Sequence, residues 1–409
     1  MRALPNILWI VTTQWRAQAS GYAGDHNART PCLDALAAES VNYTQAITPH
    51  PFGPFARAAL LTGVPSPENG LRDYFDPLPP GARTIAHELR ARGYQTAFFG
   101  KWGVGRRDPA VPLGGEEAAK VIVPPSERGG FEFWEGFEGG FQLNDPWLHG
   151  SQIERPQKFS GYQGDVLCEH AAGWLAEIEN RKSKIEKFPP RFSVVSLEAP
   201  HPPYDAPAAG VVSRDPRAII LPANVPRGGA AELRARRELS GYYAHIEATD
   251  RALGRLLAAV KRDDTLVAFT SVHGDMHGAH GLFRKGWPHE ESVRVPLLIR
   301  GRREEGAGSR DVSPVSILDL GELTLAKIEN RKSKIENQFA RISMPSVVSL
   351  PHQCDRPWRG VRTATRKLVL NADGTPWLFF DLDRDPREMK NLVADPARAG
   401  EIAVLRACV

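Results

Sequence analysis

Short apolar, β-branched runs that alternate with amphipathic helical stretches constrain this chain more than any other feature. Ile7–Val11, Thr96–Phe99, Phe192–Leu197, Leu266–Thr270 and Val295–Ile299 read as strands. Strands of this kind, buried on both faces, belong to a mostly parallel sheet covered by helices on each side. Between the fourth and third runs, about Ala231 to Val260, apolar residues recur at helical spacing, among them Tyr243, Ile246, Leu253 and Leu257. After about Met344 the period changes. Arg359–Asn371 and Trp377–Leu382 alternate like antiparallel strands, and D-R-D-P-R-E-M-K-N-L then turns into a last helix. The expected architecture is a large α/β domain over residues 1–344 and a small C-terminal α+β subdomain with an antiparallel sheet over 345–409. With 409 residues and 42% hydrophobic content, the chain has the material for one large core.

Open α/β sheets bind ligands beyond the carboxyl ends of their strands. Thr13, Lys101, His201 and Val272 each follow an expected strand directly, so the sequence points to one cleft assembled from distant segments. Composition narrows the partners. The net charge of +4 is spread along the chain, which argues against nucleic acid. Cys32, Cys168, Cys354 and Cys408 fit neither a zinc spacing nor a disulfide framework and are expected to be free thiols. I-L-W-I-V near the start is too short for a signal h-region or a membrane span, so a soluble cytoplasmic chain is expected, periplasmic or secreted if a leader was lost.

One feature stands outside this pattern. I-E-N-R-K-S-K-I-E occurs at Ile178–Glu186 and again at Ile328–Glu336, with unrelated flanks. A single pair at such separation is not a solenoid unit. It reads as a duplicated insertion, highly charged, that prolongs a helix into solvent, with a partner-binding arm as the other reading.

Several collinear motifs carry a resemblance. R-A-A-L-L-T-G at Arg57–Gly63 follows T-P-H-P-F at Thr48–Phe52; N-I-L-W-I-V precedes T-T-Q-W-R at Thr12–Arg16; F-F-G-K-W-G-V-G spans Phe98–Gly105; A-P-H-P-P-Y spans Ala199–Tyr204. T-S-V-H-G-D-M-H-G-A-H-G-L-F-R-K-G-W spans Thr270–Trp287. Together they resemble the sulfatase family of the alkaline phosphatase superfamily, over nearly the whole chain. Sulfatases cleave sulfuric esters with a formylglycine made from Cys or Ser in C/S-x-P-S-R-A-x-L-L-T-G, assisted by a calcium ion.

The resemblance also implies where this chain departs from the family. The nucleophile position is Gly53, and no Ser, Cys or Thr lies between Pro49 and Arg57. Two metal-binding Asp positions are Thr13 and Val272, and Gly103 stands where K-W-H has its His. Gln14 and His273 match residues at the metal, while Arg57, Lys101, His201 and Lys285 match residues that contact nucleophile or sulfate. Calcium takes six to eight oxygen ligands, so one amide and one imidazole make a poor site, and no tightly bound cofactor is expected. Asp275 accompanies the missing Asp in the family and is no direct replacement, and His277, His280 and His289 form a further candidate metal cluster.

Two functions follow from these residues. One is a pseudoenzyme, inactive or severely impaired, that binds a sulfated or phosphorylated small molecule or carbohydrate; the other is an active sulfate or phosphate ester hydrolase with an improvised nucleophile such as Thr12, Thr13 or water. Anion binding is expected to strengthen below pH 6, as His201 gains a charge.

Overall fold

The computed structural model describes residues 4–176, 189–260, 265–301, 306–335, 338–348 and 350–409. A ten-stranded sheet forms its centre. The inner strands run in the order Thr265–Ser271, Asn6–Thr12, Arg191–Ser196, Gln95–Lys101 and Phe133–Phe137, all parallel. Each of the first four contains an apolar run anticipated from the sequence. Phe133–Phe137 (F-W-E-G-F) was not anticipated, because its glutamate and glycine interrupt the apolar signal. The run expected over Val295–Ile299 forms its strand at Leu297–Arg300, antiparallel to Thr265–Ser271. Pro296 has no N–H to donate, so the ladder begins after it.

Helices cover both faces, and each face has its own apolar layer. Trp9, Phe55, Phe98, Trp134 and Phe192 pack on one side; Ile10, Phe99, Leu239, Tyr242, Leu253 and Phe269 pack on the other. The long helix Ala230–Ala258 supplies much of the second layer. Its Gly241 permits a close approach: a Cβ there would lie 1.6 Å from the carbonyl oxygen of Tyr204. That contact seats the segment 199–204 against the helix and fixes one wall of the cleft.

The helix Gly53–Thr62 begins at the cleft and ends at Gly63, whose left-handed φ of 70° lets its N–H cap the carbonyl of Ala59. Residues 54–61 of this helix are all buried, which suits its run of Ala and Leu. The C-terminal sheet has four antiparallel strands, Phe339–Met344, Trp358–Thr363, Arg366–Asn371 and Pro376–Asp381. Its residues alternate between faces. Ile342, Val369 and Phe380 join the main core, while Val361, Leu368, Leu370 and Phe379 close over Ile402 of the last helix. No helix among the described residues is long and apolar enough to cross a membrane.

The first copy of the repeat lies outside the described residues, as does the last residue of the second. In the second copy the helix Leu320–Glu329 is not prolonged. Asn330 terminates it in the left-handed region, φ 50°. Arg331 then turns back to Glu322 at 2.6 and 2.9 Å, and half-buried Ile328 and Ile335 pack on the core. The nonapeptide is charged in composition, but its two isoleucines flank the turn and draw it inward. Changing Ile328 and Ile335 together to Ser is expected to lower stability by about 1–3 kcal/mol, read from the denaturant midpoint.

Candidate functional site

The carboxyl ends of the parallel strands open into a cleft of about 90 Å³ lined by Thr13, Gly53, Arg57, Lys101, Gly103, His201, His273 and Lys285, among others. Gln14 lies just behind this lining, fully buried, with a left-handed φ of 67° that turns it out of the strand direction. Val272 is also fully buried, but its side chain belongs to the apolar core rather than the cleft.

The arrangement around Gly53 is cationic and closely bonded. Gly53 opens its helix, and a Cβ added there would have as its nearest neighbour the Nε2 of His273, at 4.0 Å. That imidazole donates from Nδ1 to Gly274 O, 2.8 Å away, and its Nε2 has no partner among the described residues. Arg57 reaches across the cleft floor to Thr13 Oγ1 and Ser196 Oγ, both at 2.6 Å, and to the carbonyl of Lys101 at 3.3 Å. Gly103, with φ 68°, leaves room for this: a Cβ there would come within 2.8 Å of Arg57 Cδ. The Thr13 hydroxyl in turn lies 3.0 Å from Leu197 O.

A second chain of contacts ties the other wall. Lys285 Nζ donates to Gln14 Oε1 at 2.6 Å and meets His201 Nε2 at 3.0 Å. The Gln14 amide then donates to Tyr204 Oη at 3.0 Å and to Asp275 Oδ2. Asp275 also accepts from Tyr204 Oη at 2.7 Å and from the backbone N–H of His277 at 3.1 Å. Lys101 forms a salt bridge with the fully buried Glu198. Phe141 stacks on His201 at 4.6 Å, with Lys101 Nζ 5.1 Å from the same ring.

Burial governs the electrostatics. Burial pushes the Lys285 ammonium down to about 7, partly opposed by Asp275. Lys101 is lowered by burial and partly restored by Glu198. The Arg57 guanidinium falls to about 10 by burial. His201 and His273 are held well below the ordinary histidine range by burial and then by Lys285. Burial alone would raise Asp275, but His277, Arg284 and the Tyr204 hydroxyl outweigh it and hold the carboxyl below its usual range. The expectation that His201 charges below pH 6 is therefore corrected: its ring is enclosed beside two ammonium groups, and Lys285 is the group poised to titrate near neutrality.

A sulfatase family model matches residues 5–325. The chain belongs to the sulfatase family. The ulvan-active sulfatase of Formosa agariphila is 32% identical over 96% of this chain and 78% of its own length. Among solved structures, the putative sulfatase yidJ from Bacteroides fragilis superposes with a TM-score of 0.83 at 22% identity, covering 99% of this chain and 94% of that one. Another, solved in complex with its substrate D-glucosamine-2-N,6-O-disulfate, gives 0.78 at 20% identity over 99% and 96% of the two chains.

Within this sulfatase fold, the cleft gathers eight of the residues singled out in the sequence and adds Phe141 and the pair of half-buried Arg107 and buried Glu138 (2.9 Å), while Glu198 and Tyr204 stand behind it as partners of Lys101 and Gln14. Glu198 carried a signal that went unused, since it directly precedes A-P-H-P-P-Y after a strand. The three histidines of the candidate metal cluster separate. His277 packs against Tyr242 and Tyr204 at 4.3 and 5.0 Å between ring centres, whereas His280 and His289 face each other at 4.6 Å.

Proposed function

We propose that this sulfatase-family chain holds a sulfated or phosphorylated small molecule or carbohydrate in its cleft without hydrolysing it at the family's rates. The observation that carries this reading is the surroundings of Gly53: Arg57, Lys101, His201, His273 and Lys285 line one cleft with a helix start that offers no nucleophilic atom. Arg57, Lys101 and Lys285 suit sulfate or phosphate oxygens, and the N-terminus of the Gly53–Thr62 helix adds its dipole. The relative solved with a glucosamine disulfate supports a sulfated sugar as ligand class.

The donors suit a calcium ion poorly. Lys285 donates to the Gln14 oxygen and Arg57 to the Thr13 oxygen, so side-chain cations occupy the acceptors a metal would need. Val272 contributes no oxygen, and six to eight are required. The proposed function therefore involves no step through calcium.

A second reading is hydrolysis with Thr13 as nucleophile, favoured by the Arg57 contact at 2.6 Å, which would stabilise its alkoxide. Against it, the Thr13 hydroxyl is also engaged with Leu197 O. Thr12 is further removed, being fully buried and bonded to Thr270 O at 3.2 Å.

Calorimetry with sodium sulfate tests the first reading. Binding is expected with a Kd between about 0.1 and 10 mM, or roughly 3–6 kcal/mol. Lys285 is an ammonium below its folded value of about 7 and neutral above it, so affinity should fall as pH rises, by up to about tenfold per unit. Lys285→Met should flatten that profile. Unchanged affinity from pH 6 to 9 in the parent would remove Lys285 from the site, and no sulfate binding at pH 6 would overturn the reading.

A further inference from the structure

We propose a divalent transition-metal site, of the zinc class, at the junction of the main sheet and the C-terminal sheet, with His280, Glu291 and Glu388 as ligands. Ligand atoms of these three residues all lie within 4.8 Å of one another. They come from three separate places: His280 from the turn Ala279–Gly281, Glu291 from the short helix Glu290–Val293, and Glu388 from the chain after the last strand of the C-terminal sheet. None of them lines the sulfatase cleft.

The polar atoms here are buried and incompletely matched. Glu291 is 6% exposed and Glu388 3%. Glu291 Oε1 accepts from Asn224 Nδ2 at 2.7 Å, but Oε2 has no hydrogen-bond partner among the described residues. Asn224, whose Nδ2 lies 3.2 Å from His280 Nε2, likewise leaves its own Oδ1 without one. A buried carboxylate oxygen left in this way carries an uncompensated desolvation cost, and a cation held between His280, Glu291 and Glu388 relieves it.

The neighbouring charges leave Glu291 as the carboxylate in need of one. Glu290 is matched by Arg362 at 3.1 Å and Lys367 at 2.7 Å. Glu388 shares Lys367 at 2.7 Å and accepts the backbone N–H of Glu290. Glu291 has no salt bridge among the described residues; Arg16 acts on it only through its field. One imidazole and two carboxylates form a nitrogen–oxygen set that prefers zinc over manganese, with a water as the fourth ligand. Metal–ligand bonds of ~2.0–2.2 Å place tetrahedral ligands ~3.4 Å apart, so closure needs only small side-chain adjustments. Access comes from a cleft of about 430 Å³ lined by Glu291, Asn27 and Arg387. Because Glu388 belongs to the C-terminal segment and the other two to the main one, the ion would act as a clamp between them.

The test uses the full chain after EDTA treatment and dialysis, titrated with zinc chloride. One equivalent by elemental analysis and a rise in unfolding temperature are expected, and cobalt(II) should give the visible absorption of a four-coordinate ion. Glu291→Gln and His280→Ala should each weaken zinc binding at least tenfold, while His273→Ala, in the sulfatase cleft, should leave it unchanged. His280 is partly exposed, so its variant keeps the test usable if Glu291→Gln fails to fold. Equal zinc affinity in parent and His280→Ala, or no binding at 1 mM zinc, would overturn the proposal.

Discussion

Incubated with an aryl sulfate, the purified protein is expected to release product no faster than buffer alone. A sulfatase nucleophile acts as one unit with its base and its cation, and removing the nucleophile from such a unit costs on the order of 10⁶ in rate. Gly53 has no atom to offer, and Thr13, the hydroxyl that lines the cleft, is held by Arg57 and Leu197 O. Gly53→Ser should fold normally, because its Cβ would meet nothing closer than His273 Nε2 at 4.0 Å. It should not restore turnover, since Thr13 and Val272 still supply no carboxylate. Saturable hydrolysis by the parent that Thr13→Val abolishes would reverse this conclusion and select the alternative enzyme.

Asp275→Ala is expected to be among the most damaging single substitutions, costing about 3–5 kcal/mol at pH 7 in the denaturant midpoint. The carboxylate is fully buried, and its loss would strand the Tyr204 hydroxyl, the Gln14 amide and the His277 N–H. It would also leave Arg284 and Lys285 less compensated. The pH dependence has a definite sign. A carboxylate held below its unfolded value of about 4 contributes stability fully above that pH, and the contribution is lost as pH falls towards the folded value. The gap between parent and variant should therefore narrow in acid. Asp373→Ala, at an exposed turn of the C-terminal sheet, is the control and should change little. Equal effects from the two substitutions would show that the Gln14–Tyr204–Asp275 network does not support the cleft wall.

The amino-acid sequence by itself determined the family and the parallel core. Those features are local: a buried strand announces itself by a continuous apolar run, and a motif such as R-A-A-L-L-T-G at Arg57–Gly63 is read directly from consecutive residues. The pairing of distant groups was settled only in three dimensions. Lys101 and Glu198 stand 97 residues apart, and nothing at either position names the other. Arg57 turns to Thr13 because Gly103 leaves the space for it, a relation among three separate segments. Titration also belongs to the tertiary level. His201 reads from composition as a group that charges near pH 6, but enclosure against Phe141 and Lys285 suppresses that charge and passes the role to a lysine. The second repeat copy reads as a solvated extension, whereas Ile328 and Ile335 find apolar surface that no sequence window contains. Burial is a property of what surrounds a residue, and the chain brings those surroundings from far along its length.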